Sequence, residues 1–188
     1  MYWSRFFQGF SLATVLAIAT ALPLRPARAE SVFAPYRETI REQIPVGLSL
    51  RLPEKILLSA VDQQDLDSYT VRVFVSQNPS RLTLSLHACK ASNNPCLLGS
   101  FVTENGNSRV AQGELARHKA QGQRITLKNQ VFGYVLDSDQ PQSSSTPFAT
   151  MMWEQDNMVH TLSFPQNERQ NMMFMAVSMA KSNIIFRP

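Results

Sequence analysis

The chain has 188 residues, with 18 basic and 14 acidic side chains and a formal net charge of +4. Three of the basic residues, Arg5, Arg25 and Arg28, fall within the first 29 residues, which contain no acid. The remainder of the chain, from Glu30 onward, is close to neutral. The sequence pI of 9.3 therefore gives no reason to expect a nucleic-acid partner, which would need a clustered basic surface.

The amino terminus reads as a secretory signal. Arg5 is followed by nineteen uncharged residues, and Phe10 to Leu24 is mostly apolar. Ala27-Arg28-Ala29 then supplies the small-residue end of a cleavage site. The apolar stretch would partition into a translocon, and cleavage is expected after Ala29. An uncleaved anchor is the alternative, since a spanning helix needs about 20 residues. Gln8 and Pro23 weaken that span. The expected organisation is a cleavable signal at 1–29 and a single domain at 30–188, a length suited to one core.

Residues 35–44 predict a short helix. Pro35 fits its first turn, and Tyr36, Ile40 and Ile44 form one apolar stripe. Pro45 stops it. Three segments then alternate with period two, the mark of strands with one buried face. They carry Leu48, Leu50 and Leu52; Tyr69, Val71, Val73 and Val75; and Leu82, Leu84 and Leu86. The polar stretch from Cys89 to Cys96 lies between this last segment and a strand starting at Leu97, and it contains an Asn-Asn-Pro turn. The two cysteines would face each other across a hairpin mouth. In an oxidising compartment they are expected to form a disulfide, contributing roughly 2–3 kcal/mol in the chain-entropy model.

Residues 108–120 are polar and proline-free, consistent with a helix or a loop. Gln123–Lys128 and Val131–Asp137 predict a hairpin about Asn129-Gln130, and 137–147 predicts a loop. Phe148–Trp153 and Met158–Phe164 form a second hairpin about Glu154-Gln155-Asp156-Asn157. A helix of about 16 residues follows Pro165, where Glu168 suits the helix dipole. Met172, Met175, Ala176, Met179 and Ala180 make its apolar stripe. The strand links are too short for parallel crossovers. The expected fold is therefore α+β: an antiparallel, meander-rich sheet with an N-terminal and a C-terminal helix packed on one face.

The methionines are the sharpest chemical feature. Met172, Met175 and Met179 share one helix face, and Met151, Met152 and Met158 lie in the hairpin before it. Thioethers bind soft Cu(I), but methionine is also an adaptable core filler, and its spacing here is that of a helix packing on a sheet. A third role is to line a groove for an apolar ligand or a partner. Trp153 and Phe164 are the aromatic residues of that groove. The three histidines are scattered. Zinc on His87, Cys89, Cys96 and His118 would need a spacing that matches no common zinc pattern. Nucleophile-elbow, phosphate-loop and His-Glu-x-x-His signatures are missing. Asp65/Asp67 and Asp137/Asp139 sit in polar loops without calcium-loop spacing.

The carboxyl-terminal pattern carries a resemblance. It comprises Val131-Phe132-Gly133-Tyr134, Met152-Trp153-Glu154, Leu162-Ser163-Phe164-Pro165, Glu168-Arg169-Gln170-Asn171-Met172 and Met175-Ala176 followed by Ser178-Met179-Ala180. The pattern resembles small exported cyanobacterial proteins of unknown function. Over residues 124–181 it also resembles the last hairpin and helix of exported modules related to lipoprotein carriers and anti-sigma regulators. The first resemblance implies no activity. The second implies a curved sheet whose helices shelter a lipid or peptide. The Cys89–Cys96 hairpin and the basic residues at 117–128 depart from it, and no binding residues carry over.

The expectation is an exported, non-catalytic domain that binds a partner protein or a lipid-like apolar ligand. The periplasm, or the thylakoid lumen, is its expected location. The groove would be Trp153, Phe164, Met172, Met175 and Met179. A copper site at the methionines is the alternative, and a divergent hydrolase the third reading. No cofactor, no resident metal and no nucleic acid are expected. Membrane contact is expected only through an uncleaved signal.

Overall fold

The computed structural model describes residues 32–59, 69–88, 97–137 and 147–185. The signal with its Ala29 cleavage point, the Cys89–Cys96 pair and most of the 137–147 loop lie outside the described residues. Within them the fold is α+β, built on one seven-stranded antiparallel sheet. The strands are β1 (Thr70–Gln77), β2 (Ser80–His87), β3 (Leu97–Asn105), β4 (Gln123–Lys128), β5 (Val131–Asp137), β6 (Phe148–Gln155) and β7 (Met158–Pro165). The helices are α1 (Arg37–Gln43), α2 (Arg109–Gln121) and α3 (Arg169–Lys181).

The sheet order is β1-β2-β3-β7-β6-β5-β4. Two meanders, β1–β3 and β4–β7, thus meet where β7 pairs with β3. To begin the second meander, the chain must travel from β3 across four strand spacings, about 19 Å at 4.8 Å each. Helix α2 has thirteen residues and so spans about 20 Å at 1.5 Å per residue. The polar stretch at 108–120 is therefore a helix, and its length matches the crossing it makes.

Strand periodicity sorts the side chains onto two faces. On the inner face stand Val71, Leu82, Leu84, Leu86, Phe101, Val135, Met151, Trp153, Leu162 and Phe164, all buried in one cluster. Helices α1 and α3 both pack on this face: Ile40 of α1 and the stripe Met172, Met175, Ala176, Met179 and Ala180 of α3 join the same cluster. An edge-on aromatic run, Phe33 to Phe101 at 5.5 Å and Phe101 to Phe164 at 5.4 Å, ties the amino-terminal segment to the sheet. Gly99 makes room for it, because a Cβ there would overlap the Phe164 ring. Helix α2 lies on the other, outer face, where Ala111 and Leu115 meet Met152 and Val159.

Two expectations are refined. The closing helix begins as a three-residue 3-10 turn, Gln166–Glu168, before the thirteen residues of α3. Leu48, Leu50 and Leu52 are buried as their alternation implies, but they do not form a sheet strand. Their segment crosses the inner face as an extended strap, and the Leu50 carbonyl accepts from Ile185 N at 2.9 Å. Alternation reports one buried side of any extended chain. A sheet strand also needs a neighbour alongside, and this segment lies over the sheet.

The turn joining β6 to β7 has Asp156 and Asn157 both at positive φ, 52° and 59°. That is the geometry of a type I′ hairpin, which favours Asn and Asp and follows the sheet's twist. It also leaves the Asp156 carboxylate projecting from the sheet end.

Candidate functional site

The inner face holds every residue expected to line a groove. Trp153, Phe164, Met172, Met175 and Met179 are all brought together, and each is 0% exposed. They form packed core, pressed between sheet, α3 and strap. Met175 Sδ is already engaged, accepting from Leu57 N at 3.5 Å. The strap continues along α3 by similar contacts. Glu54 N donates to Ser178 Oγ at 3.1 Å, and Ser59 N donates to both carboxylate oxygens of Glu168 at 3.0 Å.

Glu168 is the anchor of that contact. It also accepts from Ser59 Oγ at 3.2 Å and from Asn171 Nδ2 at 2.7 Å. A hydroxyl beside a carboxylate suggests nucleophile activation, but no histidine joins the pair. The carboxylate's hydrogen bonds hold the strap and its neighbours. We read the cluster as a clamp.

A polar pocket is built into the core at the β6–β7 end. Arg51, buried, donates through Nε and Nη2 to Asp156 Oδ2 at 3.0 and 2.6 Å, and through Nη1 to the Ser182 carbonyl. Beside it His160 stacks on Trp153, with ring centroids 5.0 Å apart, and its Nδ1 pairs with Thr103 Oγ1 at 3.1 Å. Burial pushes the His160 pKa down to about 4, helped by the Arg51 charge and opposed by Asp156 and the Gln155 backbone. The ring is therefore neutral at pH 7. His160 Nε2 and Trp153 Nε1 have no hydrogen-bond partner among the described residues. A sealed, neutral imidazole cannot reach a substrate, so this cluster specifies the core and is not a catalytic base.

An open cleft of about 370 Å³ adjoins it, lined by Arg51, Lys128, Lys181, Ser182, Asn183 and Ile184. Its charge is positive, yet the Arg51 guanidinium is committed to Asp156 and Ser182. Two exposed lysines remain, and a solvated lysine pair does not fix an anion.

The histidines stay apart. His118 donates from Nδ1 to the Glu114 carbonyl at 2.9 Å within α2, and burial, first among several causes, lowers its pKa. His87 stands on the outer face of β2. No group of three His, Cys, Asp or Glu side chains among the described residues could hold a metal.

The outer face differs in chemistry. Helix α2 packs over β4 to β7. Beyond it the outer surface of β1 to β3 presents Ser and Thr side chains among Arg72, Arg81, His87, Val102 and Glu104, with Phe74 on the edge strand. Cross-strand pairing aligns Arg72 with Ser85, Ser85 with Ser100, Ser100 with Ser163 and Ser163 with Thr150. One row of hydroxyls thus runs across the sheet from a guanidinium. The adjoining row pairs Phe74 with Thr83 and Thr83 with Val102. Phe74 is 54% exposed. Arg72 is exposed and forms no ion pair among the described residues. Desolvation, and then the charge of Arg72, hold the His87 pKa below its usual value, so His87 is largely neutral at pH 7.

Sequence reasoning passed over this patch. The signal was available: Phe74 occupies the polar phase of its strand, with Thr70, Arg72 and Ser76, while Val71, Val73 and Val75 take the inner phase. Its phase directs Phe74, a large aromatic, away from the packed face, where it stands 54% exposed.

No protein-family model, no curated protein and no solved structure matches this chain. The site is therefore read from its own chemistry. No described helix is long and apolar enough to cross a membrane.

Proposed function

We propose that the protein is an exported, non-catalytic binding domain that receives a partner protein on the bare half of its outer sheet face. The observation that carries this reading is Phe74, more than half exposed beside Arg72, which has no ion pair among the described residues, on a surface rich in hydroxyls. An aromatic anchor next to a free guanidinium is the residue pair that protein interfaces favour. Small Ser and Thr side chains around it let a partner approach closely. The charge calls for a partner that presents a carboxylate to Arg72.

The inner face supports an apolar ligand less well. Access to Trp153, Phe164, Met172, Met175 and Met179 requires α3 to part from β6 and β7. Among the described residues nothing covers the outer face of β1 to β3. The same burial disfavours a copper site, because thioethers packed in a core cannot turn toward a metal without repacking.

A photo-crosslinking residue at Ser85, in protein expressed in its own exported compartment, tests the proposal. Ser85 is expected to trap a discrete partner, and the same probe at Lys119, on the solvent side of α2, is expected to trap none. Replacing Arg72 by Glu should abolish the adduct. Equal labelling at both positions, or an adduct indifferent to Arg72→Glu, would sink the reading. Amino-terminal sequencing of the same material is expected to begin at Glu30. A mature chain that still begins at Met1 would overturn cleavage.

A further inference from the structure

The two edges of the sheet are finished differently. Strand β4, at one edge, has six residues and a register shift between Thr126 and Lys128. Arg124, Thr126 and Lys128 are exposed along it, and Arg124 folds over the Phe132 ring at 4.7 Å. A bulge and outward charges are the ordinary means by which a sheet edge avoids pairing with another chain. Strand β1, at the other edge, has eight residues and pairs with β2 from Thr70 to Gln77 without a break in register. It carries one charge, Arg72, and exposes Phe74 at 54% and Val75 at 37%. In an antiparallel ladder alternate residues direct N–H and C=O away from the paired strand. On β1 those groups face outward from a straight apolar edge, with no strand beyond it among the described residues.

We propose that β1 pairs antiparallel with β1 of a second copy of this chain, joining two seven-stranded sheets across a twofold axis. The sequence of β1 chooses the partner, because it is complementary to itself. Directly opposed residues must share a face, which restricts the registers. With Val73 on the axis, Val71 faces Val75 of the second copy and Val73 faces Val73, so the inner faces meet as valines. On the outer face Arg72 then stands opposite Phe74 of the second copy. That pairs a cation with an aromatic ring twice per interface. The register centred on Arg72 would oppose two guanidinium groups, which is unfavourable. A symmetric contact of this kind closes on itself and gives dimers only. The β4 edges remain at the two far ends, where bulge and charge stop further growth. The pairing is made by the backbone edge of β1, while its Arg72–Phe74 contacts share residues with the outer-face patch of the proposed function.

Sedimentation of the purified protein, at concentrations up to the order of 100 µM, tests the pairing, since a single strand pair is a small interface. A reversible dimer is expected. Val75→Lys places a charge on the edge but leaves the outer face intact. It should weaken dimerisation about tenfold or more, while circular dichroism shows an unchanged fold. Thr126→Lys, at the β4 edge, should leave the dimer as it is. Val73→Cys should give a covalent dimer on oxidation. Residue 73 meets itself only on the axis, so Ser76→Cys should not. A wild-type monomer throughout would overturn the proposal, as would a dimer that survives Val75→Lys and dissociates with Thr126→Lys. Efficient crosslinking at position 76 instead of 73 would refute the register. Because Val75 lies outside the outer-face patch, loss of the dimer with retention of the Ser85 adduct separates this inference from the proposed function.

Discussion

The two faces of the sheet perform different tasks with the same seven strands. The inner face is covered along most of its area by α1, the strap and α3, and its large side chains reach 0% exposure at Met151, Trp153, Leu162 and Phe164. Among the described residues the outer face has one helix. Beneath α2 only a small apolar cluster forms, Met152 and Val159 against Ala111 and Leu115, with Tyr134 at its margin. On β1 to β3 the rest is mostly Ser, Thr and Arg, with His87, Val102, Glu104 and the exposed Phe74. Burial of apolar area is the dominant favourable term in folding, so stability resides on the inner face. The outer face of β1 to β3 contributes little to stability. Its composition is therefore free to serve recognition.

The largest test of this division is Trp153→Ala. The indole is fully buried and stacks on His160, so its removal should cost about 3–5 kcal/mol in urea unfolding, against roughly 0.5 kcal/mol or less for Thr83→Ala on the bare outer face. Comparable losses at the two sites would show that the outer face is covered after all.

The next largest effect is in pH. His160 is held neutral, with its pKa lowered to about 4 from 6.5. At pH 7 both folded and unfolded chains carry a neutral ring, and the shift contributes nothing. Between pH 6.5 and 4 the unfolded chain takes up a proton that the folded chain refuses. Stability should therefore fall as the pH falls through that window, by roughly 3 kcal/mol from this residue, and level off below it. His160→Gln should flatten the dependence between pH 6.5 and 4, whatever it does to stability at pH 7. A variant as steep as the wild type there would assign the acid sensitivity to other groups, His118 among them.

How far the sequence disclosed these two faces follows from what periodicity measures. The inner face was legible, because Val71, Leu82, Leu84, Leu86 and the α3 methionines all announce one buried side. The hairpins were legible from Asn129-Gln130 and Asp156-Asn157, where the chain must take positive φ or reverse tightly. The strap was half legible: Leu48, Leu50 and Leu52 gave its buried side, and nothing local told that it would lie over the sheet. The candidate site was harder. Trp153, Phe164 and the methionines stand out in the chain as large apolar residues, yet core and groove share that composition. Only exposure separates them. Phe74 was visible in phase, but its meaning depended on α2 stopping at β7, which is a fact of tertiary crossing.

The smallest effect concerns a polar link between the outer face and its helix. Ser108 caps α2: its hydroxyl accepts from Ala111 N at 3.2 Å. The same hydroxyl donates to the carboxylate of Glu104, which is buried on β3 and otherwise has Arg81 at 3.9 Å. The group must therefore accept and donate at once. Ser108→Ala loses both bonds and should cost about 1–2 kcal/mol, a little above an ordinary cap. Ser108→Thr keeps both and should stay close to wild type. Ser108→Asp is the decisive variant. Aspartate is as good a cap as serine in an isolated helix, but here it would hold a second carboxylate against Glu104 and could not donate. It should be at least as destabilising as alanine at pH 7, and its deficit relative to the wild type at the same pH should shrink as the pH is lowered. If aspartate proves as stable as serine at pH 7, the bond to Glu104 contributes nothing, and α2 is held to the outer face by Ala111 and Leu115 alone.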